Sequence, residues 1–185
     1  QNIIYTFQTM NASTLRTIGR GHTPSDIKWA FNEARKAGFK NINMDIIAGL
    51  PGETLENMSY TLDEIQEMGP DSLTVHSLAI KRAANLNQQY EDFRSSISLD
   101  MDDMIYLATR RASDMRMEPY YLYRQKNIAG NLENTGFSKK GMECIYNVLI
   151  MEEKVSTFAA GAGGITRILR ISDGEIIGTV KRSWQ

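Results

Sequence analysis

The segment from Asn41 to Thr54 constrains the fold of this chain more than any other feature of its sequence. Its first half alternates apolar and polar residues, as a strand with one buried face does; the apolar positions are Ile42, Met44 and Ile46, and the polar ones are Asn41, Asn43 and Asp45. A Gly-Leu-Pro-Gly turn follows, in which Gly49 and Gly52 allow backbone angles that are closed to other residues. Because sites in parallel α/β folds lie at the carboxyl ends of strands, we expect the polar face to contact a ligand there.

Helix signals stand on both sides of this strand. Thr23 caps a predicted helix that stops at Gly38, and Thr54 caps a second one that ends at Gly69-Pro70. A short helix is predicted at 12–18, and the strands are predicted at 1–7, 41–47 and 72–78. Strands that alternate with helices predict a parallel sheet with helical crossovers, as in a βα barrel or a doubly wound sheet.

The pattern changes after residue 80. Residues 81–97 are polar and are predicted to be a surface connection between domain 1–80 and domain 98–185. The second domain is predicted to be a small α+β domain with a long helix at 98–117 and another near 142–151. Its short strands are predicted at 120–123, 156–160, 165–171 and 175–180, with a hairpin turn at 172–174.

Composition excludes several classes of protein. The 185 residues include 21 basic and 22 acidic side chains, so no overall charge attracts nucleic acid or an anionic membrane. Cys144 is the only cysteine, which rules out an internal disulfide, and no apolar run is long enough to span a membrane. The cytoplasm is the expected compartment. With one cysteine and two histidines, a zinc or iron-sulfur site made by this chain alone is not expected.

Ordered motifs give the sequence a family resemblance. The first half carries Gln8-Thr-Met-Asn11, Leu15-Arg-Thr-Ile-Gly-Arg-Gly-His-Thr23, Asn43-Met-Asp-Ile-Ile-Ala-Gly-Leu-Pro-Gly-Glu-Thr54 and Gly69-Pro-Asp71. These motifs resemble the radical S-adenosylmethionine enzymes of the oxygen-independent coproporphyrinogen III oxidase family. Further motifs resemble the coproporphyrinogen dehydrogenase branch; they are Tyr120-Tyr-Leu-Tyr-Arg-Gln-Lys-Asn-Ile-Ala-Gly130, Glu143-Cys-Ile-Tyr-Asn147 and Ala160-Gly-Ala-Gly-Gly164.

The resemblance implies a fold and a missing part. In this family a Cys-x-x-x-Cys-x-x-Cys loop holds a [4Fe-4S] cluster, and that loop is not in this sequence. Residues 1–80 then correspond to the second half of a radical-SAM partial βα barrel, and the cluster ligands are not on this chain. A strand at the very first residues also leads us to expect that the chain begins inside a fold.

Five positions match cofactor-binding residues of the family. Gln8 matches a glutamine at the end of the fourth barrel strand, and Arg20 matches an arginine that meets the carboxylate of S-adenosylmethionine. Asp45 matches the acceptor of hydrogen bonds from the ribose hydroxyls, and Ile47 matches a residue that packs on the adenine. Ala79 matches a residue whose backbone reads the adenine edge.

Plainer interpretations stand beside these assignments. Arg20 alone is typical of a solvated charge at a helix end, and Asp45 alone could cap a neighbouring helix. His22 and His76 have no obvious partner in the sequence, and the family has other residues at the position of His76, so neither is given a role. The tyrosines of 120–123 are equally consistent with a planar substrate and with a core or edge position.

The resemblance implies radical chemistry on a porphyrinogen. A deoxyadenosyl radical from S-adenosylmethionine takes hydrogen from a propionate side chain, and decarboxylation to a vinyl group follows. The alternatives are a haem chaperone of the same family, a non-radical phosphate-binding βα-barrel enzyme that uses Asp45 and the turn at Gly49, and an inactive interaction module. If the chain folds alone, the first and third strands are expected to leave bare edges, which favour dimerisation.

Overall fold

The computed structural model describes residues 2–78, 101–123, 134–152, 154–160, 165–172 and 175–183. The chain divides into two compact units, of which the first ends at Cys144 and the second begins at Ile145. Strands of the first unit are β1 (Asn2–Gln8), β2 (Asn41–Ala48), β3 (Ser72–Ser77), β4 (Glu118–Tyr123) and β5 (Asn134–Ser138). Its helices are α1 (Ala12–Thr17), α2 (Pro24–Lys36), α3 (Leu55–Met68) and α4 (Met101–Asp114).

The first unit is built on a five-stranded sheet with the order β1-β2-β3-β5-β4. Strands β1, β2 and β3 are parallel, whereas β5 is antiparallel to both β3 and β4. The predicted α/β fold with a parallel strand–helix repeat is confirmed over this part of the chain, and a partial βα barrel is consistent with it.

Reciprocal caps fix where the two longest predicted helices of the repeat begin. At α2 the backbone N–H of Thr23 donates to Asp26 Oδ2 at 2.8 Å, and the Asp26 N–H donates back to the Thr23 hydroxyl at 3.3 Å. The Thr23 backbone N–H and the Thr23 hydroxyl both donate to the Asp26 carboxylate, and these two bonds lower its pKa. Thr54 and Asn57 form the same arrangement at α3, so both helices begin where the sequence predicts.

The apolar face of the sheet forms the core. Ile42, Met44 and Ile46 are fully buried, as their alternation predicts. They belong to one cluster with residues of all four helices of this unit and of neighbouring strands, including Phe7, Leu15, Ile27, Phe31, Leu62, Ile65, Leu73, Val75, Met104, Ala108 and Phe137. The polar residues of β2 are therefore left on the opposite face of the sheet.

The sheet continues beyond the segment where the sequence predicts a domain boundary. Strand β5 pairs with the outer edge of β3, and Phe137 of β5 is buried in the same core as the helix α4. The third strand is thus not a bare edge, contrary to expectation. Residues 120–123 form β4 of this sheet instead of joining a separate antiparallel sheet. The division between the compact units lies at Cys144, well after the predicted connection at 81–97. Residues 81–97 themselves lie outside the described residues.

The second unit contains α5 (Ile145–Met151), β6 (Ile165–Ser172) and β7 (Glu175–Ser183). Strands β6 and β7 form an antiparallel pair, as predicted. The strand expected at 156–160 is reduced to one bridge between Thr157 and Arg167. None of the described helices has the length and apolar character needed to cross a membrane.

Candidate functional site

Polar side chains from neighbouring strands meet on the face of the sheet opposite the core. We call this the polar face; it is defined by Thr6, Asn43, Asp45, Thr74 and His76. The register places Asp45 between Thr6 of β1 and Thr74 of β3, and it places Ile47 beside His76. Since paired residues of parallel strands share a face, the alternation read from β2 extends across three strands.

Asp45 is the centre of this arrangement. The Thr6 hydroxyl donates to Asp45 Oδ2 at 3.1 Å, and the Asn43 amide donates to Oδ1. His76 Nε2 lies 3.7 Å from Oδ2, which is an ion-pair distance when the imidazole is protonated but too long for a good hydrogen bond. A carboxylate has about four acceptor positions, so Asp45 retains acceptor capacity on both oxygens for a pair of hydroxyl donors.

A hydrogen-bonded chain links Asp45 to the far edge of the sheet. The Asn43 amide also donates to the Thr74 hydroxyl at 3.1 Å, and Thr74 shares a hydrogen bond with Tyr121 of β4. Burial raises the pKa of the Tyr121 phenol, and the nearby Asp45 charge raises it further, although the bond to Thr74 acts in the opposite direction. Tyr121 therefore stays a neutral hydrogen-bonding group at physiological pH.

Gln8 stands at the carboxyl end of β1 in an unusual conformation. Its φ of 76° lies in the left-handed region, and the pairing register shifts between Thr6 and Gln8. The side chain is buried, yet its Oε1 accepts no hydrogen bond from any described residue. Such a conformation costs about 1–3 kcal/mol, and an unsatisfied buried oxygen adds to that cost, so both features point to a functional site.

The remaining predicted residues are less constrained. Arg20 lies in the loop that follows α1, its backbone N–H donates to Leu15 O at 2.8 Å, and its side chain is exposed. Ile47 is half-buried beside His76. Ala79 lies outside the described residues. The structure thus brings Asp45 and Ile47 onto the polar face, and it leaves the Arg20 guanidinium free to move toward a ligand.

Sequence reasoning missed a buried polar cluster next to Gln8. The Thr9 hydroxyl donates to Glu53 Oε1 at 2.5 Å, and the Asn11 amide donates to the same oxygen at 3.0 Å. Asn11 and Asn57 also exchange hydrogen bonds, while the Thr61 hydroxyl accepts from the backbone N–H of Met10 at 3.1 Å. These bonds tie the end of β1 to the start of α3 and so fix the Gly-Leu-Pro-Gly turn. The polar residues that follow β1, among them Thr9 and Asn11, were the signal in the sequence that could have predicted this cluster.

Comparison with known proteins identifies the family. A sequence profile of the Radical SAM superfamily matches residues 3–65, which run from within β1 to within α3. The oxygen-independent coproporphyrinogen-III oxidase-like protein HemZ of Bacillus subtilis is 38% identical over 169 residues, which is 91% of this chain and 34% of HemZ. The chain is a radical SAM protein of the HemN family.

Two further similarities agree with this placement. The heme chaperone HemW of Bacillus subtilis is 28% identical to this HemN-family chain over 161 residues, covering 85% of the chain and 39% of HemW. The structure of the coproporphyrinogen III oxidase HemN from Escherichia coli superposes with a TM-score of 0.56 at 19% identity, covering 89% of this chain and 38% of that one. The chain therefore spans between 34% and 39% of the length of each of these three proteins.

The described residues suit the polar cofactor from which the superfamily takes its name. Asp45 offers free acceptor positions to a diol, and Gln8 carries a buried oxygen without a donor. Among the described residues, no three His, Cys, Asp or Glu side chains converge as the ligands of a metal ion would.

Proposed function

We propose that the protein containing this chain is an oxygen-independent coproporphyrinogen III oxidase, or dehydrogenase, that converts porphyrinogen propionates to vinyl groups. The observation that carries the proposal is the 38% identity to the HemZ protein over 91% of the chain, a length that must reach into both compact units. S-adenosylmethionine and a reduced [4Fe-4S] cluster would supply the radical that takes one hydrogen atom, an external one-electron acceptor would take the remaining electron of this two-electron oxidation, and the residues of this chain would supply binding and orientation.

Each proposed role follows from the position of the residue. Arg20 would hold the carboxylate of the cofactor through a planar guanidinium fork, which suits its exposed position after α1. Asp45 would accept hydrogen bonds from both ribose hydroxyls. Ile47 is the next residue of β2 on the same face and would pack on the adenine. Gln8 would give its unpartnered oxygen to a donor group of the cofactor. Ala79 would read the adenine edge through its backbone, as the family resemblance implies.

A haem chaperone is the second candidate, and the similarity to HemW over 85% of the chain favours it. Both candidates are radical SAM proteins, so the residues just described would bind the same cofactor in each. They differ in what meets the porphyrin: an oxidase consumes its substrate, whereas a chaperone binds haem and releases it unchanged. The phosphate-binding barrel finds no support in the similarities to radical SAM proteins.

The decisive experiment uses the full-length protein, reconstituted without oxygen. Two quantities are measured with and without coproporphyrinogen III, namely 5′-deoxyadenosine and released carbon dioxide, and haem binding is titrated separately. We expect substrate-dependent formation of both products. Stoichiometric haem binding without carbon dioxide release would favour the chaperone, and the absence of both activities would favour an interaction module.

A further inference from the structure

Asn43 contacts Asp45 from the buried side of the polar face. It lies two positions earlier on β2, on the same face of the strand, and only 1% of the residue is exposed. Ligands of parallel α/β folds bind at the carboxyl ends of the strands, whereas Asn43 lies on the amino-end side of Asp45. Asn43 is therefore placed to act on the Asp45 carboxylate and not on a ligand directly.

The amide of Asn43 is held by two partners. Its Nδ2 donates to Asp45 Oδ1, and the Thr74 hydroxyl lies 3.1 Å from Nδ2 and 3.2 Å from Oδ1 of Asn43. A carboxylate only accepts hydrogen bonds, so the amide nitrogen must face Asp45, and the Thr74 hydroxyl can then donate to the amide oxygen. Thr74 is also 1% exposed. Because leaving a buried amide without partners is costly, these two contacts fix the orientation of Asn43.

The second donor to Asp45 is constrained less. The Thr6 hydroxyl donates to Oδ2 at 3.1 Å, but Thr6 is exposed, so its hydroxyl can bond to water instead. The buried amide of Asn43 has no such alternative. The orientation of the Asp45 carboxylate therefore depends mainly on the bond at Oδ1, which leaves the remaining acceptor positions for donors that arrive from the carboxyl end of β2.

We propose that Asn43 is a positioning residue that fixes the Asp45 carboxylate in the orientation that accepts both ribose hydroxyls of the cofactor. The inference rests on the proposed cofactor site and adds to it a residue to which the family resemblance gives no role. A carboxylate that is oriented before the ligand arrives loses little rotational freedom on binding, so it binds a diol more tightly. Asn43 thus increases the affinity for ribose without touching it.

The test compares two ligands of the full-length, anaerobically reconstituted protein, namely S-adenosylhomocysteine and its 2′,3′-dideoxy analogue, which lacks both hydroxyls. The ratio of their dissociation constants measures the preference for ribose. Asn43→Leu keeps the branched shape of the side chain and removes the donor to Asp45. We expect it to reduce the preference about tenfold, with little change in the affinity for the dideoxy analogue. Equal losses for both ligands would show a merely structural role and overturn the inference.

Thr74 offers a matched pair of variants that leave Asn43 and Asp45 in place. Thr74→Val removes the hydroxyl that holds the Asn43 amide and should reduce the ribose preference about three- to fivefold. Thr74→Ser keeps the hydroxyl and should retain the wild-type preference. This pair decides the question if Asn43→Leu does not fold, and equal ratios in the two Thr74 variants would then overturn the role of Asn43.

Asp45→Ala separates the inference from the site on which it rests, because it should abolish the preference for ribose. If it does so while Asn43→Leu and Thr74→Val keep the wild-type ratio, Asn43 has no positioning role and the cofactor site stands. A wild-type protein without any preference for ribose, or an Asp45→Ala protein that retains it, would overturn the site and the inference together.

Discussion

Arg20 differs from the other proposed cofactor contacts because its side chain is exposed and stands apart from the hydrogen bonds of the polar face. Its removal should therefore affect binding far more than folding. We predict that Arg20→Ala in the full-length protein weakens S-adenosylmethionine binding by about 10- to 150-fold, because one charge-assisted contact contributes about 1.5–3 kcal/mol. Isothermal titration under anaerobic conditions measures this change.

Arg16→Ala is the control for this prediction, since Arg16 is an exposed arginine of the neighbouring helix α1. It removes the same positive charge a few residues away and should leave the affinity almost unchanged. Equal affinities in the wild type and Arg20→Ala would remove Arg20 from the site, and equal losses in both variants would indicate general electrostatic attraction instead of a specific contact.

The sequence predicted that Asp45 lies on a polar strand face, but it did not predict which residues surround Asp45. Asp45 was found from alternation along one strand and from family motifs. Its neighbours Thr6 and Thr74 were not predicted, because they belong to other strands. Their contact with Asp45 depends on the lateral register of the sheet. The left-handed backbone of Gln8 also carries no local signal, since glutamine is not a residue that favours positive φ. Strain of this kind is imposed by the surrounding fold.

At the scale of elements, β4 and β5 meet at a contact that requires a glycine. A Cβ added to Gly136 would lie 2.0 Å from Cε1 of Tyr121, whose hydroxyl is bonded to Thr74 of β3. We predict that Gly136→Ala displaces the ring, breaks that hydrogen bond and lowers the free energy of unfolding by about 1–3 kcal/mol. Chemical denaturation of the 185-residue chain measures the change.

A double-mutant cycle separates this clash from a general intolerance of the strand. In the background of Tyr121→Ala the ring is absent, so Gly136→Ala should cost only a small fraction of its effect in the wild type. The same cost in both backgrounds would mean that Gly136 is needed for its backbone conformation and that the close approach to Tyr121 does not matter.

The elements of the first unit were predictable to different degrees for physical reasons. Helices α2 and α3 can be predicted from their capping residues and from the glycines that end them, because these signals act locally. Strand β5 does not, because Asn134-Thr-Gly-Phe-Ser138 has neither a long apolar run nor clear alternation. Its pairing depends on tertiary contacts, such as the backbone N–H of Ser77 donating to Asn134 Oδ1 at 2.8 Å. The sheet was therefore predicted to end at β3.

On the scale of the whole molecule, the described sheet has two outer strands, β1 and β4, and β1 is the one at the end of the parallel part. The order β1-β2-β3-β5-β4 leaves one edge of β1 without a partner among the described strands, and the apolar residues Ile3 and Ile4 are only half-buried there. Unpaired backbone donors and acceptors beside apolar side chains recruit another strand. We propose that the 185-residue chain, when expressed by itself, associates through β1 of two copies.

Ile4→Lys should weaken this association, because a lysine on an edge strand loses hydration when a second strand pairs with it. We predict that the wild-type chain is a dimer at micromolar concentration in sedimentation velocity, and that Ile4→Lys raises the dissociation constant by at least about tenfold. Ser13→Lys adds the same charge on the exposed surface of α1 and should leave the dimer unchanged.

A wild-type chain that stays monomeric at every concentration would mean that the β1 edge is protected, whereas a dimer equally tolerant of both lysines would place the contact on another surface. The full-length protein should not dimerise in this way if its further strands cover β1, so the same measurement on it tells whether the open edge belongs to the 185-residue chain alone.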